Sequence, residues 1–180
     1  MKPTPIDNSG PLNPGRAAPL RSTVWPSITI ATRMKLSESP AQIWPRLMFY
    51  EQIDIPPPFY LRLLLPLPIR SEGAKSAVGD IATCVYKGGH LLKRVVRTEP
   101  GQHYEFEVIE QRLAFGGGLQ LLGGTYHFNE YAPGHTELTI TTRYLSHQRP
   151  RILWSRIEKT VCHLFHRHLL AAIRGNVPRR

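Results

Sequence analysis

The chain has 180 residues, a formal net charge of +10 at pH 7 and 41% hydrophobic residues. This length and composition are ordinary for one globular domain with one core, and no internal repeat indicates a solenoid. The apolar run at residues 59–69 is too short to span a bilayer. Cys84 and Cys162 are predicted to be small buried thiols, because their spacing indicates no particular disulfide.

Composition divides the chain into a tail, one domain and a short second tail. Residues 1–26 are rich in proline and lack apolar periodicity, which predicts a disordered segment. No apolar segment of signal-peptide length follows Lys2, so a cytoplasmic location is expected. Residues 27–176 are predicted to form a single domain, and residues 177–180 a basic C-terminal tail.

Alternating apolar and polar residues predict a first strand, and a short helix is expected directly after it. In residues 27–36, Ile28 and Ile30 alternate with polar side chains, as in a strand with one buried face. The SPAQ motif at residues 39–42 then supplies an N-cap serine, a proline at the first helical position and a glutamine at the third. Because Pro45 removes a backbone donor, only a kinked or split helix can follow.

Turn residues divide most of the remaining chain into consecutive antiparallel strands. Turns are predicted at Gly88-Gly89, at Pro100-Gly101 and at Pro133-Gly134. Such a succession of strands and short turns is typical of a meander. The predicted strands are residues 27–36, 79–87, 91–98, 102–112, 119–131 and 136–145.

A long amphipathic helix is predicted at residues 149–175. Its apolar side chains form a stripe of roughly 100°, which requires one apolar partner surface. Since the preceding strands offer that surface, the predicted fold class is α+β. We expect a curved antiparallel sheet of six to seven strands around the C-terminal helix, with short helices after the first strand. The stripe consists of Trp154, Ile157, Val161, Leu164, Phe165, His168 and Ala172.

The order and spacing of several short motifs resemble the START/polyketide-cyclase (SRPBCC) superfamily, whose fold is the helix-grip fold. The motifs are SPAQIW at the helix entry, VGD opening a strand, EPGQHYEFEV and the hairpin GTYHFNEYAPGHTELTITTRY. The resemblance covers residues 27–176 and implies a deep apolar cavity between the sheet and the C-terminal helix. Relatives use this cavity to carry lipids and other hydrophobic molecules, and some cyclise or dehydrate polyketides. The superfamily shares no catalytic motif, so the resemblance leaves the activity open.

Strand phase predicts which side chains line this cavity. Tyr104, Phe106 and Val108 share one face of their strand, while His103 and Glu105 share the other. His90, at a hairpin turn, and Leu64, in the apolar run, are further candidate ligand contacts. The remaining candidates are Tyr126, Phe128, Leu138, Ile140, Thr142, Trp154, Ile157 and Val161.

Three residues are candidates for acid or base chemistry: Glu110, Tyr86 and His168. Glu110 is predicted on the inward phase, where burial would raise its pKa towards the useful range. Alternatively, Glu110 lies where its strand leaves the cavity and pairs with an arginine such as Arg94 or Arg112, and His168 is a hydrogen-bonded core histidine. No cofactor is expected.

The helix also carries a row that superficially resembles a metal site, formed by Glu158, Cys162 and His166. Successive turns of one helix place at most two ligands on one ion, and no complementary cluster is evident elsewhere in the sequence. Metal binding is therefore not expected.

Basic charge is concentrated in residues 143–180, which hold nine Lys or Arg against the single acid Glu158. In helix-grip relatives, a segment such as the apolar run at 59–69 containing Leu64 lies at the cavity entrance, so the resemblance implies a gate here. The basic segment would let this gate contact an anionic membrane surface. The alternatives are a solvated helix face and leucines that close the core. Nucleic acid is not expected as a partner, because the charged side of the helix lacks interleaved aromatic residues.

Three classes of function remain open. The first is a carrier or sensor of a hydrophobic small molecule or lipid, which requires only the cavity and a gate. The second is an acid/base enzyme of the cyclase, aromatase or dehydratase type, which requires convergent polar groups inside the cavity. The third is an interaction module that uses the basic helix.

Overall fold

The computed structural model of the protein describes residues 26–48, 59, 68–113 and 118–175. The predicted tails at residues 1–26, apart from Pro26, and at 177–180 lie outside the described residues. Within the described residues, no helix is long and apolar enough to cross a membrane. The elements are β1 (Ile28–Leu36), α1 (Pro40–Met48), β2 (Pro68–Gly73), β3 (Ile81–Tyr86), β4 (Gly89–Glu99), β5 (His103–Arg112), β6 (Leu119–Ala132), β7 (His135–Ser146) and α2 (Arg151–Gly175).

The seven strands form one curved antiparallel sheet in the order β1-β7-β6-β5-β4-β3-β2. Strands β2 to β7 follow one another as a meander, whereas β1 pairs with β7, with Ile28 opposite Tyr144 and Leu36 opposite Thr136. The α+β architecture predicted from the sequence is confirmed. The sequence did not locate the edge strand β2, because Ile69 is its one large apolar side chain and is 68% exposed.

Helix α1 begins at the predicted capping box. The backbone N–H of Ser39 donates to the side-chain Oε1 of Gln42 at 3.0 Å. The helix continues through Pro45 to Met48 and buries Ile43 and Leu47 completely. Beside that buried face, a guanidinium N–H of Arg46 donates to the carbonyl of Ile173 at 2.9 Å, which ties α1 to the C-terminal end of α2.

One end of the sheet carries a closed core, where α1 and the C-terminal end of α2 meet. The Trp44 ring lies 6.3 Å from the ring of Tyr104 and 5.5 Å from that of Phe128, measured between centroids. Aromatic pairs at these separations add to the stability that burial provides. The buried cluster comprises Leu36, Ile43, Leu47, Val95, Tyr104, Tyr126, Phe128, Leu138, Ile140, Leu169, Leu170 and Ile173.

Helix α2 presents a different face to the sheet than the apolar stripe predicted. The row Glu158, Cys162 and His166 faces the sheet, and at 100° per residue it lies about a quarter turn from the centre of that stripe. Within the stripe, Ile157 is 37% exposed and Val161 is half-buried. Phe165 packs against the core and Ala172 is buried as predicted, but the centre of the buried face was placed wrongly. Hydrogen-bonding partners on β1 and β7 allow polar side chains to be buried there.

Candidate ligand-binding site

The inner, concave face of the sheet is set by strand alternation and cross-strand register. Cys84 lies opposite Leu91 and Ala82 opposite Lys93, so all four share the inner face. On β5, Val108 lies opposite Lys93 in the same way. The inward orientation predicted for Val108 is therefore confirmed, as it is for Tyr104, Phe106, Tyr126, Phe128, Leu138, Ile140 and Thr142.

This inner face has a closed half and an open half. Among the predicted ligand contacts, Tyr104, Tyr126, Phe128, Leu138 and Ile140 belong to the closed core cluster and are at most 5% exposed. The open half has a smaller buried cluster with half-buried apolar side chains around it. That cluster comprises Cys84, Tyr86 and Leu91, and the surrounding side chains are Val108, Leu113, Leu119 and Leu121.

One flank of α2 faces this open half. His163 is hydrogen-bonded to Thr32 on the edge strand β1 at 2.8 Å, whereas Glu158 contacts Ser146 on the next strand, β7. The helix surface thus turns from β1, at His163, to β7, at Glu158. Further rotation in the same sense points towards the middle strands. Val161 lies about 160° from His163 and, like His168, is half-buried on this flank. The open half of the inner face is the candidate binding site, and helical geometry directs this flank of α2 towards it.

Other predicted wall residues have different surroundings. Trp154 is half-buried, and its Nε1–H donates to the carbonyl of Arg149 at 3.1 Å. Ile157 is 37% exposed, so the expected burial of this side chain was wrong. Thr142 Oγ1 faces α2 and lies 2.8 Å from Nε2 of His166. This side chain therefore belongs to a polar network and not to an apolar wall. Leu64 lies outside the described residues.

Glu110 lies on the outer face, and the prediction of a buried carboxyl there was wrong. The register passes from Val108 opposite Lys93 to Glu110 opposite Leu92, so a β-bulge at Ile109 reverses the strand phase. Glu110 Oε1 accepts a hydrogen bond from Nε of Arg112 at 2.5 Å and lies 3.2 Å from a ring nitrogen of His90. The hydrogen bond from Arg112, and to a smaller extent the contact with His90, lowers the pKa of Glu110 below its ordinary value.

The alternative prediction, pairing of Glu110 with Arg112, is thus confirmed. His90 contacts the same carboxylate on the outer face, so the structure places it away from the inner lining.

Gln111 takes the inward position that the bulge removes from Glu110. Its side-chain NH2 donates to the carbonyls of Leu113 and Leu119 at 3.0 and 2.8 Å, and its Oε1 accepts from the N–H of Leu121 at 2.8 Å. Gln111 therefore connects β5 to β6 at the end where the two strands separate. Sequence reasoning missed this residue because no glycine marks the bulge.

Lys93 was also missed. Its side chain lies on the inner face, half-buried, with Nζ 5.1 Å from the centroid of the Phe106 ring. Strand β4 has apolar residues on both phases, including the buried Val95 and the 43% exposed Val96. For that reason the sequence of β4 does not reveal which phase is inward.

A buried ion pair fixes the N-terminal part of α2. The Glu158 side chain is 3% exposed and accepts hydrogen bonds from Arg151 at 3.0 Å, Ser146 at 2.5 Å and Tyr144 at 3.3 Å. Burial, together with the nearby Glu158 carboxylate, raises the pKa of Tyr144. The carboxylate thus has partners on both its own helix and β7.

His166 is the centre of a second buried network. Its Nδ1 lies 2.8 Å from Oγ1 of Thr32 and its Nε2 2.8 Å from Oγ1 of Thr142, with Sγ of Cys162 3.6 Å away. Burial lowers the pKa of His166 to about 4, with a smaller contribution from His163. Burial also raises the pKa of Cys162 to about 11. In the described part of the chain, no three His, Cys, Asp or Glu side chains are arranged to hold a metal ion.

Tyr86 and His168 have different surroundings. Tyr86 is buried on the inner face of β3 and belongs to the cluster of the open half. His168 is half-buried, burial lowers its pKa, and the residues after it, Leu169 and Leu170, belong to the closed core cluster.

No protein-family model and no curated protein matches the chain. Solved structures match at low sequence identity. An aromatase/cyclase from Streptomyces sp. R1128 has a TM-score of 0.60 at 14% identity, over 86% of this chain and 95% of that one. A START superfamily protein from Mycobacterium smegmatis has a TM-score of 0.59 at 10% identity, over 83% and 96%.

Norcoclaurine synthase from Thalictrum flavum, solved with dopamine and hydroxybenzaldehyde, has a TM-score of 0.57 at 15% identity. That match covers 93% of this chain and 95% of that one. These likenesses show that the chain has the helix-grip fold that the START/SRPBCC proteins share.

Proposed function

We propose that the protein binds a hydrophobic small molecule or lipid between the open half of the inner face and the flank of α2, as a carrier or sensor. The observation that supports this is the row of half-buried apolar side chains, Val108, Leu119 and Leu121, on the concave side of the sheet. Covering such surface contributes roughly 25 cal/mol per Å². A bound apolar molecule gains that free energy without any rearrangement of the closed core.

An acid/base enzyme is the second candidate. Its remaining candidates are His168, whose pKa is lowered by burial, and Tyr86, which is buried on the inner face of β3. Two of the similar structures are named as an aromatase/cyclase and a synthase. Against this role, Glu110 lies outside the site, which removes the expected carboxyl from the acid/base set.

Transient contact with an anionic membrane fits the carrier role. The first turns of α2 expose Ile152 by 80% and Leu153 by 55%, and the exposed cations Arg156 and Lys159 lie close by in the sequence. Apolar side chains flanked by cations suit a surface with anionic headgroups. A carrier docked in this way could exchange its ligand with the bilayer.

The test of the proposed function is mass spectrometry of molecules extracted from the natively purified protein, together with titration of an apolar fluorescent probe. Val108→Glu, on the inner face, should reduce probe affinity at least tenfold. Val96→Glu is the control, because Val96 lies at a β-bulge of the neighbouring strand and is 43% exposed. Equal effects of the two substitutions in folded protein, or no probe binding by the wild type, would contradict the proposal. Turnover of a co-purifying molecule that His168→Gln abolishes would favour the enzyme instead.

A further inference from the structure

Strand β1 is an open edge of the sheet. It pairs with β7 on one side, in a register that runs without a bulge from Ile28 to Leu36, and no described strand lies on its other side. An edge strand presents a row of backbone N–H and C=O groups with which another extended chain can pair. The opposite edge, β2, has a register shift after Pro68 and a positive φ at Gly73, so it is a shorter and less regular template.

Helix α2 runs along this edge. In the middle of β1, the hydroxyl of Thr32 lies 2.8 Å from Nδ1 of His163. At the end of β1, Leu36 belongs to the same core cluster as Ile173, near the end of the helix. Residues 156–174 span roughly 27 Å at 1.5 Å per residue, and the nine residues of β1 span about 30 Å. The helix and the open edge therefore match in length.

Three arginines of α2 form a row that extends past this edge. At 3.6 residues per turn, Arg156, Arg167 and Arg174 lie within about 40° of His163 around the helix axis. They are on the side of His163 that faces away from Glu158, which contacts β7. This arginine row therefore lies beyond β1 and not over the sheet. All three side chains are exposed, and none forms an ion pair or a side-chain hydrogen bond with a described residue.

The outer face of β1 adds further basic charge. Arg33 and Lys35 are exposed there, and Nζ of Lys35 lies 5.0 Å from the centroid of the Tyr131 ring. A second copy of the chain would bring the same cations to the edge, and like charges oppose pairing between copies. Residues 1–25, which precede β1, carry three basic residues and one acid, so their net charge has the same sign. The charge of this surface therefore fits an acidic partner.

We propose that the open edge of β1 and the arginine row together bind an acidic segment of a partner protein, which adds to the sheet as an extended strand. The segment's backbone pairs with β1, and acidic side chains on its inner face contact Arg156, Arg167 and Arg174. Arginine binds carboxylates through charge-assisted, bidentate hydrogen bonds, and strand addition supplies main-chain hydrogen bonds. A nucleic acid can contact the arginines but cannot pair with a strand edge, so the edge favours a peptide. This surface is separate from the candidate ligand site.

The test is fluorescence anisotropy with a labelled nine-residue peptide of alternating glutamate and threonine, and with a counterpart that has lysine in place of glutamate. We expect the wild type to bind the acidic peptide and not the basic one. Arg167→Glu should weaken binding about tenfold or more. The matched control is Lys87→Glu, which makes the same change in net charge at the exposed turn before β4 and should alter the affinity less than about threefold. If Arg167→Glu does not fold, Arg167→Gln should still lose part of the affinity.

N-methylated peptides distinguish strand pairing from attraction of charge alone. A strand pairs with one neighbour through the N–H groups of alternate residues. Methylating one alternate set should therefore abolish binding, while methylating the other set should leave it nearly unchanged. Equal binding of the two methylated peptides, or equal losses in Arg167→Glu and Lys87→Glu, would overturn the proposal. So would an RNA oligonucleotide that binds through Arg167 when the acidic peptide does not bind, because the arginine row would then serve nucleic acid.

Discussion

The hydroxyl of Ser146 donates a 2.5 Å hydrogen bond to the buried carboxylate of Glu158, which joins strand β7 to the N-terminal part of α2. Glu158→Ala should remove this bond and leave the Arg151 guanidinium without its carboxylate. Because Arg151 is 36% exposed and can be hydrated, the loss comes mainly from the buried hydroxyls of Ser146 and Tyr144 and amounts to about 1–3 kcal/mol. Denaturant unfolding measures the loss, with the exposed Arg156→Ala as control. A loss below about 0.5 kcal/mol, the range of surface substitutions, would show that the pair does not stabilise the fold.

His166 should make stability depend on pH. Its folded pKa, about 4, is below the ordinary value of 6.5, so the fold favours the neutral ring. The stability gained is complete above pH 6.5 and is lost as the pH falls towards 4, because the unfolded chain binds the proton first. At pH 5 the loss is about 2 kcal/mol. His166→Gln should flatten the unfolding free energy over this range, whereas His135→Gln, at the exposed start of β7, should not. A profile unchanged by His166→Gln would contradict the assignment.

The bulge in β5 predicts opposite outcomes for neighbouring residues. Glu110→Ala removes exposed contacts with Arg112 and His90, which solvent screens, and should leave the unfolding free energy nearly unchanged. Gln111→Ala leaves two backbone carbonyls and one N–H without their partner and should cost about 1–3 kcal/mol. Thermal or denaturant unfolding compares the two variants. If Glu110→Ala lowered the unfolding free energy more than Gln111→Ala, Glu110 would be the inward residue, as uninterrupted alternation along β5 predicts.

Gly124 should accept no side chain. A Cβ there would lie 2.7 Å from the carbonyl oxygen of Thr141 and 3.0 Å from the ring of Phe106. Gly124→Ala must therefore displace backbone or move Phe106, at a cost of about 1–3 kcal/mol. Gly134→Ala is not a clean control, because Gly134 has a positive φ. Ala132→Gly, on the same strand as Gly124, instead measures how much an exchange between alanine and glycine changes stability through the backbone alone. Equal unfolding free energies of Gly124→Ala and the wild type would contradict this close packing.

Membrane contact through α2 predicts salt-sensitive binding to anionic vesicles. Replacing both Ile152 and Leu153 by serine should weaken co-sedimentation with phosphatidylglycerol vesicles at low salt without loss of stability, because both side chains are exposed. Val78→Ser removes a 63% exposed side chain far along the chain from α2 and should have no effect. Binding that ignores salt, or no binding by the wild type, would contradict the membrane contact.

Local sequence patterns determined much of the fold. The alternation of residues 27–36, the capping box at 39–42 and the glycine turns each act over a few residues, and the structure has β1, α1 and the hairpins where these patterns predict them. The inward phase of Tyr104, Phe106 and Val108 was likewise predictable, since it depends only on alternation within one strand.

Only the tertiary structure decided the details of the candidate site. The bulge that turns Glu110 outward depends on pairing with β4, and no residue type in β5 encodes it. The rotation of α2 depends on Thr32, Thr142 and Ser146, which lie on distant strands and supply the hydrogen bonds that let Glu158 and His166 be buried. The inward side of Lys93 depends on which phase of β4 faces the core, and both phases are apolar. Periodicity reports the local preference of a segment, whereas burial of a polar or charged group is decided by the partners that the fold brings to it.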